Sequence, residues 1–527
     1  MVEKIEATKL KGWLTDGVEI ALLDVREHGQ YGLSHPFFAI PLPYSRFELR
    51  LPSLVPNLGT RIVVYDGGEG VAEKAATRAE AMGYASLYVL ESGTSGWEKA
   101  GYTLYSGVNV PSKTFGELIE HDLGTPRIPA EELKAMEERG DDFVLVDGRP
   151  FAEYTRFNIP GGICCPNGEL SLRIKELAPD PKTKIVVNCA GRTRSIIGAQ
   201  TLIDFGVPNE VVALENGTQG WLLSGLELEY GADRMYPKVT LGDDLEPLRQ
   251  RARAVAEARG ATYIDIDKLN NLLKETGRST YVFDVRTHEE FEKNGVEGTH
   301  HAPGGQLVQA TDQWVGVRGA RLVIADSDGI RAGMVASWLR QLGHEAYVFD
   351  GSISKLAGAR FMEQEITLEL DALDEVAAQA AKSMQNEGAV QIVDLRESMA
   401  YRDGHIDGAM WSIRPRIVED VKGDKPVLLV CDSRGVAALA ARELTDAGIE
   451  VAGQLLGDTV SWAAAGFDIV ETPDVPANED CIDYLFLTPE RNQGNLDDAR
   501  AYLAWEVGLI EQLDKQERGI FRITPAP

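Results

Sequence analysis

The sequence predicts an α/β protein built from four copies of one module. Three features support this prediction: an apolar run that ends in Asp-x-Arg, a second apolar run further along, and a helical stretch after it that closes on glycine. Strands and helices that alternate at short spacing are typical of a parallel sheet covered by helices. A chain of 527 residues is also too long for a single hydrophobic core. We therefore expect one parallel sheet flanked by helices in each module.

The first apolar run occurs four times. Its copies read ALLDVRE, VLVDGRP, YVFDVRT and QIVDLRE, and their aspartates are Asp24, Asp147, Asp284 and Asp394. We interpret each run as a buried strand that leads into a loop. The Asp-x-Arg pair also occurs in copies that have no cysteine downstream, so it is expected to be a buried structural ion pair rather than a catalytic group.

The second apolar run lies at a nearly constant distance from the first. The span is 42 positions from Asp24 to Asp66, from Asp147 to Cys189 and from Asp284 to Asp326, and it is 37 positions from Asp394 to Cys431. Three identical spans indicate repeats of one fold. The helical stretches that follow close on a glycine, as is common just past a helix C-terminus: Gly83, Gly206, Gly343 and Gly448.

The repeat divides the chain into four modules and a tail. We expect the modules at residues 1–115, 125–235, 258–360 and 366–475, and a C-terminal extension at 476–527. The extension contains the amphipathic stretch DDARAYLAWEVGLIEQLDKQ. Its periodicity predicts a helix that packs on a domain rather than one that forms a site.

Composition and charge limit the function classes. The net charge of −29 disfavours nucleic acid and anionic membranes as partners, so an anionic small substrate would need a local cationic pocket. No apolar stretch is long enough to span a membrane, and the first residues do not resemble a secretory signal, which predicts a cytoplasmic protein. Five cysteines without a CxxC motif indicate neither a disulfide framework nor a zinc site, and no metal or organic cofactor is indicated.

The stretch NCAGRTRS, from Asn188 to Ser195, has the strongest chemical signal. Cys189 ends an apolar run and comes just before a helical stretch, where ligands of parallel sheets bind. Loop amides, the helix N-terminus and the guanidinium groups of Arg192 and Arg194 would favour thiolate over thiol and would hold an anion. The alternative is a buried structural cysteine, which is common in strands. The two nearby arginines argue against that alternative.

Several motifs together resemble those of a known family. The series DGR, CAGRTRS and LENGTQGW, with RFNIPGGI in the second copy and YRDGHIDGAMW in the fourth, is similar to the rhodanese superfamily of sulfurtransferases over residues 1–475. The resemblance implies that Cys189 is the nucleophile and persulfide carrier of a two-step reaction. It implies transfer of sulfane sulfur from thiosulfate or a similar small anionic donor to cyanide or a thiol. It also implies a substrate-binding loop formed by Ala190, Gly191, Arg192, Thr193 and Arg194, with Ser195 at the helix start.

Loop length distinguishes two chemistries within this superfamily. The sulfurtransferases resemble Cys-x4-Arg, whereas the related dual-specificity phosphatases have Cys-x5-Arg, a wider loop for phosphate. Here four residues separate Cys189 from Arg194, and Ser195 follows. The spacing favours sulfur transfer over the phosphatase alternative.

The other copies differ at the cysteine position. The first and third carry Asp66 and Asp326 there, which resembles the inactive modules of tandem rhodaneses and implies two tandem pairs in which inactive modules pack against active ones. Cys431 and Arg434 are a candidate second site. However, Val436 stands where a second arginine is expected, and Asp432 adds a negative charge that weakens a thiolate.

Other interpretations remain open at this point. The chain could instead be a rhodanese-like binding or redox-regulatory scaffold with vestigial catalysis. We expect the remaining cysteines to be core residues, although a resolving thiol is the alternative for the first two: Cys164, Cys165 and Cys481. His300 and His301 are interpreted as loop residues rather than ligands, and three tryptophans at matching positions are expected to anchor the cores: Trp97, Trp221 and Trp462. The sequence identifies neither the physiological donor and acceptor nor the oligomeric state.

Overall fold

The computed structural model of the protein describes residues 2–238, 245–361, 366, 368–492 and 494–525. Three modules each contain a five-stranded parallel sheet. When the strands of a module are numbered in chain order, the order across the sheet is 1-5-4-2-3 in all three. The fourth module has a four-stranded parallel sheet with the corresponding order. The predicted repeat of a parallel α/β module is therefore confirmed.

The first module is followed by a long connecting helix, Val110–Leu123. The strands of this module are Glu3–Ile5, Ile20–Asp24, Ile40–Pro41, Arg61–Tyr65 and Leu87–Leu90. Its helices are Ala7–Trp13, His28–Leu33, Phe47–Leu54, Val71–Ala81 and Gly93–Lys99, with a 3-10 turn at Tyr44–Arg46.

The second module contains Cys189 after its fourth strand. Its strands are Arg127–Ile128, Phe143–Asp147, Ile163–Cys164, Lys184–Asn188 and Val211–Leu214. Its helices are Ala130–Arg139, Phe151–Arg156, Leu170–Leu177, Thr193–Phe205 and Gly217–Leu223, with a 3-10 turn at Asn167–Glu169.

The third module begins after the helix Leu245–Ala258. Its strands are Thr262–Ile264, Thr280–Asp284, His300–His301, Arg321–Ala325 and Glu345–Phe349. Its helices are Ile266–Leu273, His288–Asn294, Gly304–Gln309 and Arg331–Gln341, with 3-10 turns at Thr311–Gln313 and Ile353–Gly358.

The fourth module is followed by a helical tail. The strands of its sheet are Gln391–Asp394, Met410–Trp411, Val427–Val430 and Val451–Leu455, and a short antiparallel ribbon pairs His405–Ile406 with Ile469–Val470. Its helices are Ala378–Asn386, Ser398–Asp403, Ile417–Asp420, Arg434–Asp446 and Thr459–Ala464. The tail helices are Leu496–Val507, Leu509–Gln512 and Lys515–Arg518.

Each sheet is covered on both faces, as alternating side chains along the Cys189 strand illustrate. Ile185 and Val187 belong to one apolar cluster, and Val186 belongs to another on the opposite face. This is the period of two that a strand dictates. Trp221 lies in the second cluster, and its ring nitrogen donates to a carbonyl six residues on. Trp97 and Trp462 are likewise buried, so the prediction of three core tryptophans is confirmed.

The four Asp-x-Arg pairs are buried ion pairs, as predicted. In the second module the closest contact, from Arg149 Nη2 to Asp147 Oδ2, is 2.7 Å, and both side chains are at most 1% exposed. The same guanidinium donates to the Phe157 carbonyl at 2.6 Å, which ties the strand end to the loop after the next helix. A buried carboxylate needs such full pairing, because an unpaired charge in the interior is costly. The equivalent pairs are Arg26–Asp24, Arg286–Asp284 and Arg396–Asp394.

The modules pair differently from their order along the chain. One compact unit contains the fourth module and most of the first, and the other contains the second and third modules with the segment from Thr488 onward. In the latter unit Trp338 Nε1 donates to Thr201 Oγ1 at 2.9 Å, and Arg331 Nη1 lies 2.7 Å from Glu169 Oε1. The expected pairing of an aspartate-bearing module with a cysteine-bearing one therefore holds, but not between the first and second modules or between the third and fourth. The reason is that the complementary side chains belong to the first and fourth modules in one unit. In the other unit they belong to the second and third modules.

None of the helices in the described residues is both long and apolar enough to cross a membrane.

Candidate active site

Cys189 lies in the loop between the strand Lys184–Asn188 and the helix Thr193–Phe205. This is the strand–loop–helix arrangement that the sequence predicts. The residue is 2% exposed, and its Sγ lies 3.3 Å from the hydroxyl of Ser195 in the first turn of the helix. Ser195 Oγ also donates to the Arg192 carbonyl at 2.9 Å. The sulfur therefore sits at the N-terminal end of a helix of 13 residues, where partial positive charge favours an anion.

The loop carbonyls are held by the segment that follows the next strand. The backbone amides of Thr218 and Gln219 donate to the carbonyls of Cys189 and Ala190 at 2.9 and 3.1 Å. Gly217 has a φ of +54°, and a Cβ there would lie 2.2 Å from the Cys189 carbonyl oxygen. This contact accounts for the first glycine of the motif LENGTQGW. The carbonyls of Cys189 and Ala190 are therefore paired with this segment, and the loop amides take no part in these hydrogen bonds.

The loop amides are free for an anion. Within the described parts of the chain, the backbone amides of residues 190–194 donate to no protein acceptor. A run of unpaired amides that ends in a helix N-terminus is the usual backbone site for an anion.

The aspartate-bearing modules show what this position holds when no cysteine is present. Asp66 accepts hydrogen bonds from the backbone amides of Gly68 and Ala72, at 2.9 and 3.0 Å. Asp326 accepts from the amides of Gly329 and Ala332, at 2.7 and 2.8 Å. In both modules a carboxylate occupies the position of Cys189 and takes the amides of the loop and of the helix start. Backbone amides therefore converge on the side chain at this place. At Asp326, burial and the charge of Asp328 raise the pKa of the carboxyl to about 7, against the amides, which lower it.

Arg194 is one of the two arginines that the sequence predicts near the Cys189 sulfur. Its two terminal nitrogens each lie 2.8 Å from an oxygen of Glu153. Burial alone would lower the pKa of the guanidinium, but the charge of Glu153 and the hydrogen bonds with it, followed by the electrostatic interaction with Cys189, raise that pKa above its usual value. Arg194 therefore stays charged and interacts electrostatically with the sulfur. Its own carbonyl accepts a hydrogen bond from Asn167 Nδ2 at 2.8 Å, which fixes this end of the loop.

Arg192 has a different role from the one that the sequence suggests for its guanidinium. Its Nε and Nη2 donate to the two oxygens of Glu117, at 2.7 and 2.9 Å, and Nη2 also contacts Glu120. Both acids lie on the connecting helix Val110–Leu123. The side chain is therefore committed to carboxylates and anchors the loop to that helix. The prediction that Arg192 binds substrate then depends on its backbone amide.

Three further residues at the loop have no counterpart in the sequence motifs. Thr193 Oγ1 donates to Glu506 Oε1 at 2.6 Å, and Lys113 Nζ lies 3.7 Å from the same oxygen. Tyr502 lies beside Gly191, one helical turn before Glu506. These residues come from the connecting helix and from the tail, which the sequence predicts as a packing element. Their separation along the chain, 313 residues between Thr193 and Glu506, leaves no local signal from which to predict the contact.

The Cys431 loop in the fourth module lacks a cationic environment. The Arg434 side chain is 71% exposed and lies 2.6 Å from Glu375. Burial raises the pKa of the Cys431 thiol to about 11, against a hydrogen bond with the Ser433 backbone that lowers it, and Asp432 raises it further. These observations agree with the weak thiol that the sequence predicts, and a catalytic role for Cys431 stays a prediction.

The remaining cysteines are buried thiols, as expected. All five cysteines are free, and burial raises the pKa of Cys164 to about 12 and that of Cys165 above its usual value. Cys481 is 2% exposed. The interpretation of His300 and His301 as loop residues is wrong, since they form the third strand of their sheet, paired with Phe283 and Asp284.

Comparison with known proteins identifies the family. A rhodanese-like domain matches four times, at residues 6–100, 129–224, 265–359 and 377–465. The chain therefore belongs to the rhodanese family, with four rhodanese modules as predicted.

Two relatives differ in how much of their length they share with this chain. The crystal structure of a thiosulfate sulfurtransferase from Pseudomonas aeruginosa is 40% identical, with coverage of 99% of each chain and a TM-score of 0.90. A curated relative, the HTH-type transcriptional regulator Rv0324 of Mycobacterium tuberculosis, is 37% identical over 112 residues, which is 21% of this chain and 48% of the regulator. This chain thus spans about half the length of that relative.

Proposed function

We propose that Cys189 is the sulfur carrier of this rhodanese-family sulfurtransferase. The thiolate attacks the outer sulfur of thiosulfate, the bond between the two sulfurs breaks, and sulfite leaves with the electron pair. The product is a persulfide on Cys189. In the second step cyanide or a thiolate attacks the outer sulfur of the persulfide, takes that sulfur, and returns the Cys189 thiolate.

The observation that carries the proposal is the equivalence of three loops. Asp66 and Asp326 occupy the Cys189 position in their modules and accept two backbone amides each. The same cradle around a sulfur would stabilise the thiolate before attack and the persulfide afterwards. Arg194, which is paired with Glu153, adds a guanidinium that interacts electrostatically with Cys189. The full-length likeness to a thiosulfate sulfurtransferase supports thiosulfate as the donor.

The two other functions are less well supported. A binding or regulatory scaffold would need no free amides around Cys189, yet the loop keeps them and keeps Arg194. A phosphatase would need one more residue in the loop, and the place of its arginine is taken by Ser195, whose hydroxyl contacts the sulfur instead.

The other assignments are proposals of the same kind. We propose module boundaries at 1–115, 125–235, 258–360 and 366–475, with substrate binding by residues 190–195. We propose small molecules as donor and acceptor, and the cytoplasm as the compartment. Five free cysteines support a reducing compartment.

Thiocyanate formation from thiosulfate and cyanide tests the proposal. Cys189→Ser is expected to abolish turnover, because serine cannot form the persulfide. Cys431→Ser, a matched change in the equivalent loop, is expected to keep at least half of the wild-type kcat/KM. Full activity in the Cys189→Ser protein would overturn the assignment.

A further inference from the structure

The tail helix Leu496–Val507 covers the tip of the Cys189 loop. A Cβ built on Gly191 would lie 3.1 Å from Glu506 Oε2 and 3.2 Å from Tyr502 Cε1. Glu506 also accepts the hydrogen bond from Thr193, two residues further along the loop. Two side chains of the tail therefore touch the segment that would surround a bound donor.

This cover is fixed in place by contacts on two sides. Lys113 Nζ donates to the Tyr502 hydroxyl and lies 4.8 Å from the centre of its ring. Burial lowers the pKa of Lys113, but its interactions with the Tyr502 hydroxyl and with the Glu506 carboxylate outweigh burial and raise it, so the lysine stays charged. On the other side Gln219 Nε2 donates at 3.3 Å to Asn492 Oδ1, four residues before the tail helix begins. The cover is thus bonded both to the connecting helix and to the segment that holds the loop carbonyls.

Glu506 has unused hydrogen-bonding capacity at the site. The residue is 1% exposed, and its Oε2 has no hydrogen-bond partner within the described residues. A buried polar atom without a partner is costly, and a role at a binding site is one explanation for it. This oxygen is also the heavy atom nearest to a Cβ built on Gly191, so it lies against the tip of the loop that would receive an anion.

We propose that Tyr502 and Glu506 determine which sulfur donors reach Cys189. The inference depends on the proposed function and deepens it. The Tyr502 ring limits the size of the group that carries the transferable sulfur. The Glu506 carboxylate repels negative charge on that group, which disfavours a dianion relative to a monoanion of the same chemistry.

Two donors separate these effects. Thiosulfate is a small dianion, and benzenethiosulfonate is a larger monoanion that carries the same kind of transferable sulfur. The quantity to measure is the ratio of kcat/KM for the two donors, with cyanide as the acceptor. A ratio cancels changes in the amount of folded enzyme.

Tyr502→Ala tests the limit on size. It is expected to raise kcat/KM for benzenethiosulfonate relative to thiosulfate by about tenfold, because it opens space of roughly the size of the phenyl group. Tyr502→Phe is the matched control, since it keeps the ring and removes only the hydroxyl, and it should leave the ratio within about twofold of wild type. An unchanged ratio in Tyr502→Ala would overturn the role of the ring.

Glu506→Gln tests the effect of charge. The amide oxygen can still accept from Thr193, so the change removes charge with little loss of structure. It is expected to raise kcat/KM for thiosulfate relative to benzenethiosulfonate by about tenfold, the size of one charge interaction across several ångströms of protein. Glu511→Gln, an exposed residue on the next tail helix, is the control and should leave the ratio unchanged. An unchanged ratio in Glu506→Gln would overturn the role of the carboxylate.

The wild-type protein separates failure of this inference from failure of the proposed function. If neither donor adds sulfur to Cys189, the proposed function is wrong and the specificity role is wrong with it. If both donors turn over but neither variant shifts the ratio, Cys189 is still the sulfur carrier and only the specificity role is wrong.

Discussion

At the scale of single residues, one backbone position carries either a carboxylate or a thiol. Asp66 and Asp326 fill it in two modules, and Cys189 and Cys431 fill it in the others. The two cysteines differ in their neighbours: Arg194 interacts with the Cys189 sulfur, whereas Asp432 lies beside Cys431. The surroundings of the cysteine therefore distinguish the two sites: burial and Asp432 at Cys431, and Arg194 at Cys189.

Alkylation of Cys431 tests this difference directly. Because the raised pKa of about 11 keeps Cys431 in the thiol form at lower pH, its reaction with iodoacetamide should accelerate with pH up to about 11. The rate should rise about tenfold per pH unit between pH 7 and 10, measured by peptide mass spectrometry on the Cys189→Ser protein. Asp432→Asn should increase the rate at fixed pH, whereas Asp424→Asn, at an exposed position, should not. A rate that is flat between pH 7 and 9 would contradict the account of this site.

At the scale of elements, the site depends on two segments that follow strands. The loop after Asn188 supplies the amides, and the segment that begins at Gly217 holds the loop carbonyls. The close approach of Gly217 to the Cys189 carbonyl leaves no space for a Cβ. The shape of the cradle therefore depends on a residue outside the loop of residues 190–195.

Gly217→Ala is expected to distort the Cys189 loop and to lower sulfurtransferase kcat/KM by at least tenfold. The added Cβ would lie 2.2 Å from a carbonyl oxygen, and φ is +54°. Thermal unfolding should show a loss of stability of about 1–3 kcal/mol or more. Gly225→Ala is the matched control, because φ there is +74° but no atom lies within 4 Å of the Cβ. It should carry the strain penalty and keep the activity; equal activity in the two variants would exclude the positioning role.

The sequence predicts the elements of the site better than their partners. The strand, the loop and the helix around Cys189 follow from local apolar patterns and from the repeat, and so do the buried Asp147–Arg149 pair and its equivalents. Glu117 and Glu506 could not be predicted, since they lie 75 and 313 residues from the loop residues that they contact. The strand at His300 was missed because it has only two residues. Contacts between distant segments are set by tertiary packing, which a local pattern does not encode.

At the scale of the whole molecule, the two compact units each combine an aspartate-bearing module with a cysteine-bearing one. The motifs suggest pairs in chain order. All four modules carry the same apolar periodicity, so this periodicity does not indicate which modules pack together. The second and third modules meet at a buried cluster in which Arg331 contacts three acids: Glu169, Glu290 and Asp328. Its side chain is 1% exposed. This charged cluster shows that the third module packs on the second.

Arg331→Ala is expected to destabilise the unit formed by the second and third modules by about 3–5 kcal/mol, because three acids lose their cation in a buried setting. Chemical unfolding followed by intrinsic tryptophan fluorescence should show the lower midpoint. Arg500→Ala removes an exposed pair with Asp497 and should change stability by less than about 1 kcal/mol. Equal effects of the two substitutions would contradict the structural role of the cluster.

The central claim is that Cys189 carries the transferred sulfur. Its most direct test is peptide mass spectrometry after incubation with thiosulfate and removal of excess donor. The account predicts the added mass of one sulfur atom on the peptide that contains Cys189, lost again on addition of cyanide, and none on the peptide that contains Cys431. Added sulfur on the Cys431 peptide alone, or on neither peptide while thiocyanate still forms, would contradict it.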